Sequence, residues 1–275
     1  MKKISVLLFY LFIFLPFNAQ TSVAGLFPLE NSGRLVWNFN AGWRFHLGDV
    51  SGAEARDFDD QSWEVVSTPH TVQLMPAEAS GCRNYQGIAW YRKHFRLPKE
   101  CAGRDVTLHF EAIMGRQTLY VNGQKVKEHE GGYLPFSFDI TNYLAEGENE
   151  LAVFVRDELD IKYPYGKQTK NPQGMWYTQV SGIWQSVWLE PVQKAHVADF
   201  CPVFDRANGN LEVSVATEGT QEGDVVKVAL LEGGIGYDPE KPASSPVVVA
   251  EGKVVPGGSV LLPVKEPRLW SPDST

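Results

Sequence analysis

The chain has 275 residues, 43% apolar and 21% charged, with 33 acidic residues against 25 basic ones. That balance fits a folded globular protein with room for a sizeable core. A net charge of −8 argues against nucleic acid or an anionic membrane surface as partner. Met1-Lys2-Lys3 is a short basic start, followed by the apolar run "ISVLLFYLFIFLPF" from Ile4 to Phe17. A spanning helix needs about 20 apolar residues, and this run is shorter. Ser22-Val23-Ala24 fits an A-x-A-like cleavage site, with a second position after Gln20. Residues 1–24 therefore read as a signal peptide, and the protein as secreted or periplasmic. An uncleaved N-terminal anchor is the alternative. The first cysteine is Cys82, too late for a lipoprotein signal, and no later stretch is apolar enough to span a bilayer. Removal of 1–24 takes away two lysines and leaves a net charge of −10.

Helical periodicity is nearly absent from the rest. Short alternating runs dominate, broken by Gly, Pro, Asn and Asp. "DVTLHFE" places Val106, Leu108 and Phe110 on one face. In "QTLYVNGQKVKE", Asn122-Gly123 between two alternating runs signals a hairpin. "ENELAVFVRD" alternates through Leu151, Val153 and Val155. The chain is expected to be all-β, built of sandwiches. The texture changes near Pro191. Before it aromatics are dense and loops long; after it come Val-rich strands with short turns. Five or six strands are legible between 193 and 275, where an immunoglobulin-like sandwich has about seven. The second sandwich is therefore expected to be incomplete, and the chain truncated.

"GMWYTQVSGIWQSVWLEP", Gly174 to Pro191, carries three tryptophans. Its second half alternates, with Ile183, Gln185, Val187 and Leu189 on one side and Trp184, Ser186, Trp188 and Glu190 on the other. Both faces hold large apolar groups, so both are expected to be covered. The cover is either a junction between two sandwiches or a further domain. Ahead of it, Asp157 to Gln179 shows few strand signals. A loop of that length in a compact domain is functional or disordered. Its rings and amides suit sugar contact, with Gln168, Asn171 or Gln179 bonding hydroxyls; docking against another domain is the alternative.

Three cysteines, Cys82, Cys101 and Cys201, cannot all pair, and their spacing matches no zinc motif. A Cys82–Cys101 disulfide suits an oxidising compartment; three separate thiols is the simpler reading. The six histidines show no metal-ligand spacing, and His70, after Pro69, reads as a structural hydrogen-bonder. Asp57, Asp59 and Asp60 read as turn acids, and Glu150 as a turn cap. There is no G-x-S-x-G elbow, H-E-x-x-H or phosphate loop. No cofactor, metal site or independent catalytic constellation is expected.

Five segments in order carry a resemblance: "VWNFNAGWRFHLGD" (Val36–Asp49), "FDDQSWEVVSTPHT" (Phe58–Thr71), "GIAWYRKHFRLP" (Gly87–Pro98), "LYVNGQKVKEHEGGYLPFSFDITNYLAEGENELAVFV" (Leu119–Val155) and "SGIWQSVWLEP" (Ser181–Pro191). Together they resemble the N-terminal sugar-binding domain of family 2 glycoside hydrolases, the β-galactosidase, β-glucuronidase and β-mannosidase type. The resemblance implies a jelly-roll-like, galactose-binding-like sandwich over 25–192 and an immunoglobulin-like sandwich over 193–275. It implies a β-glycoside or glycan as ligand. It also implies that the two catalytic glutamates lie in a C-terminal (β/α)₈ barrel missing from this chain, which alone should be inactive. A free-standing carbohydrate-binding module is the alternative. The family asparagine three before the Gly of G-x-x-W-Y falls on Asn84, followed by Tyr85. The family acidic residue six before the Gly of S-G-I falls on Trp176, beside Tyr177. A tryptophan cannot ligate sodium, but it can stack on a sugar face. The implied substrate-binding residues are thus Asn84, Tyr85, Trp176 and Tyr177.

Overall fold

The computed structural model describes residues 34–73, 85–232, 247–267 and 269. The proposed signal segment, Cys82 and Asn84 lie outside the described residues. The fifteen strands are β1 Trp37–Asn38, β2 Trp43–Leu47, β3 Glu64–Val66, β4 Gly87–Arg96, β5 Asp105–Phe110, β6 Arg116–Val121, β7 Gln124–Glu130, β8 Phe136–Asp139, β9 Glu148–Asp157, β10 Val187–Val192, β11 His196–Asp205, β12 Asn210–Glu218, β13 Val226–Glu232, β14 Val247–Val254 and β15 Ser259–Pro263. Among the described residues there is no α-helix. Among the described residues no helix is long and apolar enough to cross a membrane.

The first ten strands make a β-sandwich. One sheet has six strands in the order β3-β2-β4-β9-β6-β7, the other four in the order β1-β10-β5-β8. All their pairings are antiparallel. The alternation in β5 is realised: Val106, Leu108 and Phe110 point into the core, where they meet Leu119, Leu151 and Val153 of the facing sheet. Trp43 and Tyr91 cross edge to face at 6.3 Å in the same core. Each such side chain contributes about 1.5–3 kcal/mol by burial. The β6–β7 hairpin closes through Asn122 (φ 50°) and Gly123 (φ 78°), the left-handed pair that a two-residue turn of matching twist requires.

Strand β9 departs from simple alternation because both its faces are covered. Leu151, Val153 and Val155 face the sandwich core. Ala152 and Phe154 face outward, beneath Ala53, Phe58 and Trp63 of the 49–63 segment. Under that segment lies a buried charge cluster. Arg92 Nε meets Asp60 Oδ2 at 2.8 Å, Arg92 Nη1 lies 3.1 Å from Glu150 Oε1, and His94 Nε2 lies 2.8 Å from Asp60 Oδ2. Arg92 also donates to the carbonyls of Ala53 and Ala55. Two expectations are corrected here. Glu150, expected to cap a turn where a strand opens, is instead buried within β9 against Arg92, and Asp60 anchors the segment rather than merely turning it. Burial pushes Asp60 up, but hydrogen bonds from Arg92 and His94 outweigh it and hold the carboxyl below its usual range. Burial raises Glu150 to about 8 despite the nearby guanidinium.

The last five strands form a three-stranded sheet, β11-β12-β15, and a two-stranded one, β13-β14. Their shared core is small: Val213, Val215, Val254 and Leu262, with Val228 and Leu230 packed on it. Cys101 is buried and Cys201 exposed, each a free thiol. The two halves of the chain touch through Arg34, which donates to Val197 O at 2.7 Å, and through the Lys194–Asp105 ion pair.

Candidate functional site

At one end of the sandwich, β9 ends at Asp157 and the chain runs to residue 179 without a strand. The only pairing within this stretch, among the described residues, is a parallel bridge between Gln168 and Tyr177. Tyr177 N donates to Lys167 O at 2.8 Å, which folds the loop back on itself. Gln168 then fastens it to its surroundings: its Nε2 donates to Tyr133 Oη at 2.5 Å, and its Oε1 accepts from Val180 N at 2.6 Å. Tyr163 Oη donates to Glu130 Oε2 at 2.9 Å and accepts from Arg116 Nε at 3.2 Å. The loop is therefore tied to the β7–β8 connection through Tyr133, and to β6 and β7 through Arg116 and Glu130.

That connection, residues 131–135, contains Gly131-Gly132. A Cβ at Gly132 would stand 2.4 Å from the Met114 sulfur, which would have to shift to admit it. Trp184 Nε1 donates to Gly132 O at 2.8 Å, and its ring meets Tyr133 edge to face at 5.8 Å. Tyr133 and Leu134 remain exposed beside the long loop. Sequence reasoning did not single them out, although the Gly-Gly pair between two alternating runs is a turn signal.

The rim itself is apolar and open. Met175, Trp176 and Tyr177 are 68%, 47% and 64% exposed. Aromatic rings left this open are available to stack on a ligand face. Of the predicted sugar-bonding amides, Asn171 is exposed, whereas Gln168 and Gln179 are buried and hold the loop together. Tyr85 is half-buried. Its hydroxyl donates to Ile88 O at 2.8 Å, and the same hydroxyl lies 2.9 Å from where a Cβ on Gly87 would stand. The Tyr85 hydroxyl thus braces the start of β4, while Trp176 and Tyr177 stand together in the rim. Among the described residues no cluster of three or more His, Cys, Asp or Glu could hold a metal.

The strand expected from Gly182 to Glu190 begins only at Val187. Residues 182–186 are irregular but fully fastened: Met114 N donates to Gly182 O, His70 N to Ile183 O and Glu111 N to Ser186 O. Gly182 is required here, because a Cβ would collide with the Tyr91 hydroxyl. That hydroxyl also lies 2.8 Å from His70 Nδ1, the structural role expected of this histidine. The two tryptophans have separate uses. Trp184 buttresses the rim; Trp188 stacks on His109 at 3.6 Å and donates to Glu111 on the outer face of the four-stranded sheet. Beside them Glu190 is buried against Arg34 and His109. Burial raises its carboxyl, but bonds to those two groups outweigh this and hold it below the usual range.

At the loop's base, Asp157 is 4% exposed and Gln179 5%. Burial pushes the Asp157 carboxyl up to about 7, tempered by the Gln179 amide that faces it.

Residues 41–192 match the model of the family described as "Glycosyl hydrolases family 2, sugar binding domain". A β-galactosidase of Thermoanaerobacter pseudethanolicus is 38% identical over 190 residues, 67% of this chain and 25% of that protein. A β-galactosidase of Bacteroides ovatus is 29% identical over 252 residues, 86% of this chain and 28% of that protein. A solved β-glucuronidase structure from Bifidobacterium dentium superposes with a TM-score of 0.68 over 90% of this chain and 44% of that one; at 22% identity it shows the shared fold. The chain spans about a quarter of the length of these curated relatives.

Proposed function

Because the chain belongs to glycoside hydrolase family 2 through its sugar-binding domain, we propose that it is the N-terminal, non-catalytic portion of a secreted or periplasmic retaining β-glycosidase. In this reading residues 25–192 and 193–275 are two domains that brace a C-terminal (β/α)₈ catalytic barrel. The 157–179 loop lines one wall of the substrate pocket. The observation that carries it is the open rim of Met175, Trp176 and Tyr177, held in place by bonds from Gln168 and Tyr133. Rings stack on the C–H face of a sugar, and the exposed Asn171 amide can bond its hydroxyls. Asn84 is the family-implied sugar contact.

The test is Trp176→Ala in the enzyme that contains this chain. Loss of one stacking ring, about 1 kcal/mol, raises KM roughly fivefold and leaves the melting temperature unchanged. An unchanged KM for aryl β-glycosides and for oligosaccharides would remove the rim from the pocket wall. A second reading, a carbohydrate-binding module without hydrolase activity, is favoured by the same exposed rings. Calorimetry of the chain alone separates the two. The module reading requires measurable glycan affinity with no partner present; the pocket-wall reading expects a flat titration and no turnover.

A further inference from the structure

The base of the long loop holds two buried polar groups that face each other. Asp157 closes β9, and Gln179 is where the loop rejoins the body of the sandwich. Asp157 Oδ2 and Gln179 Nε2 are both buried without a hydrogen-bond partner among the described residues. The other atoms of this cluster are fixed. Gln179 Oε1 accepts from Gln86 Nε2, and Gln86 Oε1 accepts from Leu159 N at 2.7 Å. Gln86 thus ties the two ends of the loop together across Asp157. Gly115 presses on the same spot, since a Cβ there would meet Arg156 O and Asp157 Cα.

A buried carboxylate without a cation is costly, and a buried neutral carboxyl far less so. The charges around Asp157 do not supply that cation. Glu158 and Asp160 flank it on the loop, and Tyr163 and Tyr165 line the same cleft. Tyr133 faces it from the 131–135 connection, and Tyr91 from β4. The nearby cations are turned to other partners: Arg156 to Glu158 at 3.1 Å, and Arg116 to Glu130 at 3.2 Å.

We propose that Asp157 is a positioning residue that locks the base of the 158–179 loop while protonated and loosens it when ionised, so that the Trp176–Tyr177 rim is held more firmly in acidic surroundings. The direction follows from proton linkage. In the locked loop the carboxyl keeps its proton up to about pH 7; in a loosened, hydrated loop it releases it near the ordinary value of 3.8. Acidity therefore favours the locked form. Opening becomes easier by up to about tenfold per pH unit across that interval, and levels off above it.

The experiment is hydrogen–deuterium exchange of residues 158–179 between pH 4.5 and 8, with labelling times scaled for intrinsic exchange, on the chain and on Asp157→Asn and Asp157→Ala. The asparagine keeps the shape and removes the titration. The opening constant of the unsubstituted chain, relative to Asp157→Asn, rises severalfold per unit to pH 7 and then stays flat. Asp157→Ala opens the loop at every pH without a slope of its own. Parallel pH profiles for the chain and Asp157→Asn would overturn the proposal. Should Asp157→Asn not fold, the carboxyl ¹³C shift of Asp157 in the unsubstituted chain decides: a midpoint near 7 sustains it and one near 4 overturns it. The claim concerns the loop alone, and only its bearing on sugar contact rests on the function proposed above. A pH-independent loop that still binds sugar would refute the lock and leave that function standing.

Discussion

The two halves of the chain use the same element, the antiparallel strand, at very different depths. Between residues 37 and 192 two sheets enclose a continuous core, and the 49–63 segment adds a further layer over the six-stranded sheet. Between 196 and 263 two thin sheets share four buried hydrophobic residues among those described. Phe200, Val203, Val247 and Leu261 stay exposed there. The contrast shows what depth allows. The first half carries a buried Arg–Asp–Glu–His cluster and a long tethered loop, because a large apolar core offsets their cost. The second half holds no comparable buried cluster among the described residues.

Three changes test that contrast, in order of size. Arg92→Met removes the one cation shared by Asp60 and Glu150. Removing one partner from a buried charge cluster costs about 3–5 kcal/mol, read by urea unfolding of the first half. A loss under 1 kcal/mol would mean that water reaches the cluster and that depth is not what sustains it. Leu262→Ala opens a cavity in the small core and costs about 2–3 kcal/mol. Calorimetry should then show the second half melting early while the first keeps its transition. A single merged transition would show the halves unfolding together and blunt the distinction. The third change concerns Glu150, and its effect is read per unit of pH. Its folded carboxyl holds a proton to about pH 8, while the unfolded chain releases it near 4.5. Stability therefore falls as pH rises through that window, by up to about 1.4 kcal/mol per unit. Glu150→Gln flattens the fall. An unchanged slope would assign the pH dependence to other groups.

Much of the fold was legible in the sequence, because alternation and turn chemistry are local. Val106, Leu108 and Phe110 declared their face, and Asn122-Gly123 declared its turn. β9 was legible in one face only: nothing near Ala152 and Phe154 in sequence announces the segment a hundred residues earlier that covers them. Glu150 and Asp60 were misread for the same reason, since their partner Arg92 is distant in sequence. The rim was half legible. Trp176 and Tyr177 stood out by type, and their exposure bears on ligand contact. Gln168 and Gln179 looked like sugar ligands, yet Gln168 is spent on the Val180 backbone and the Tyr133 hydroxyl, and Gln179 on the Gln86 amide. Tyr133, Leu134 and the Asp157 lock depended on which loops share one end of the sandwich, which no local pattern encodes.

The hairpin turn also bears on how the protein ages. An asparagine followed by glycine is the dipeptide most prone to deamidation, because the glycine nitrogen can attack the side-chain amide with little hindrance. In the fold, Asn122 Nδ2 donates to Tyr143 O and to Asn149 Oδ1, both at 2.8 Å, and its Oδ1 accepts from Glu150 N at 3.0 Å. The amide is thus held away from its own chain and cannot cyclise. Once the hairpin opens, that protection ends, so isoaspartate at position 122 would serve as a chemical record of how often a given molecule has been unfolded.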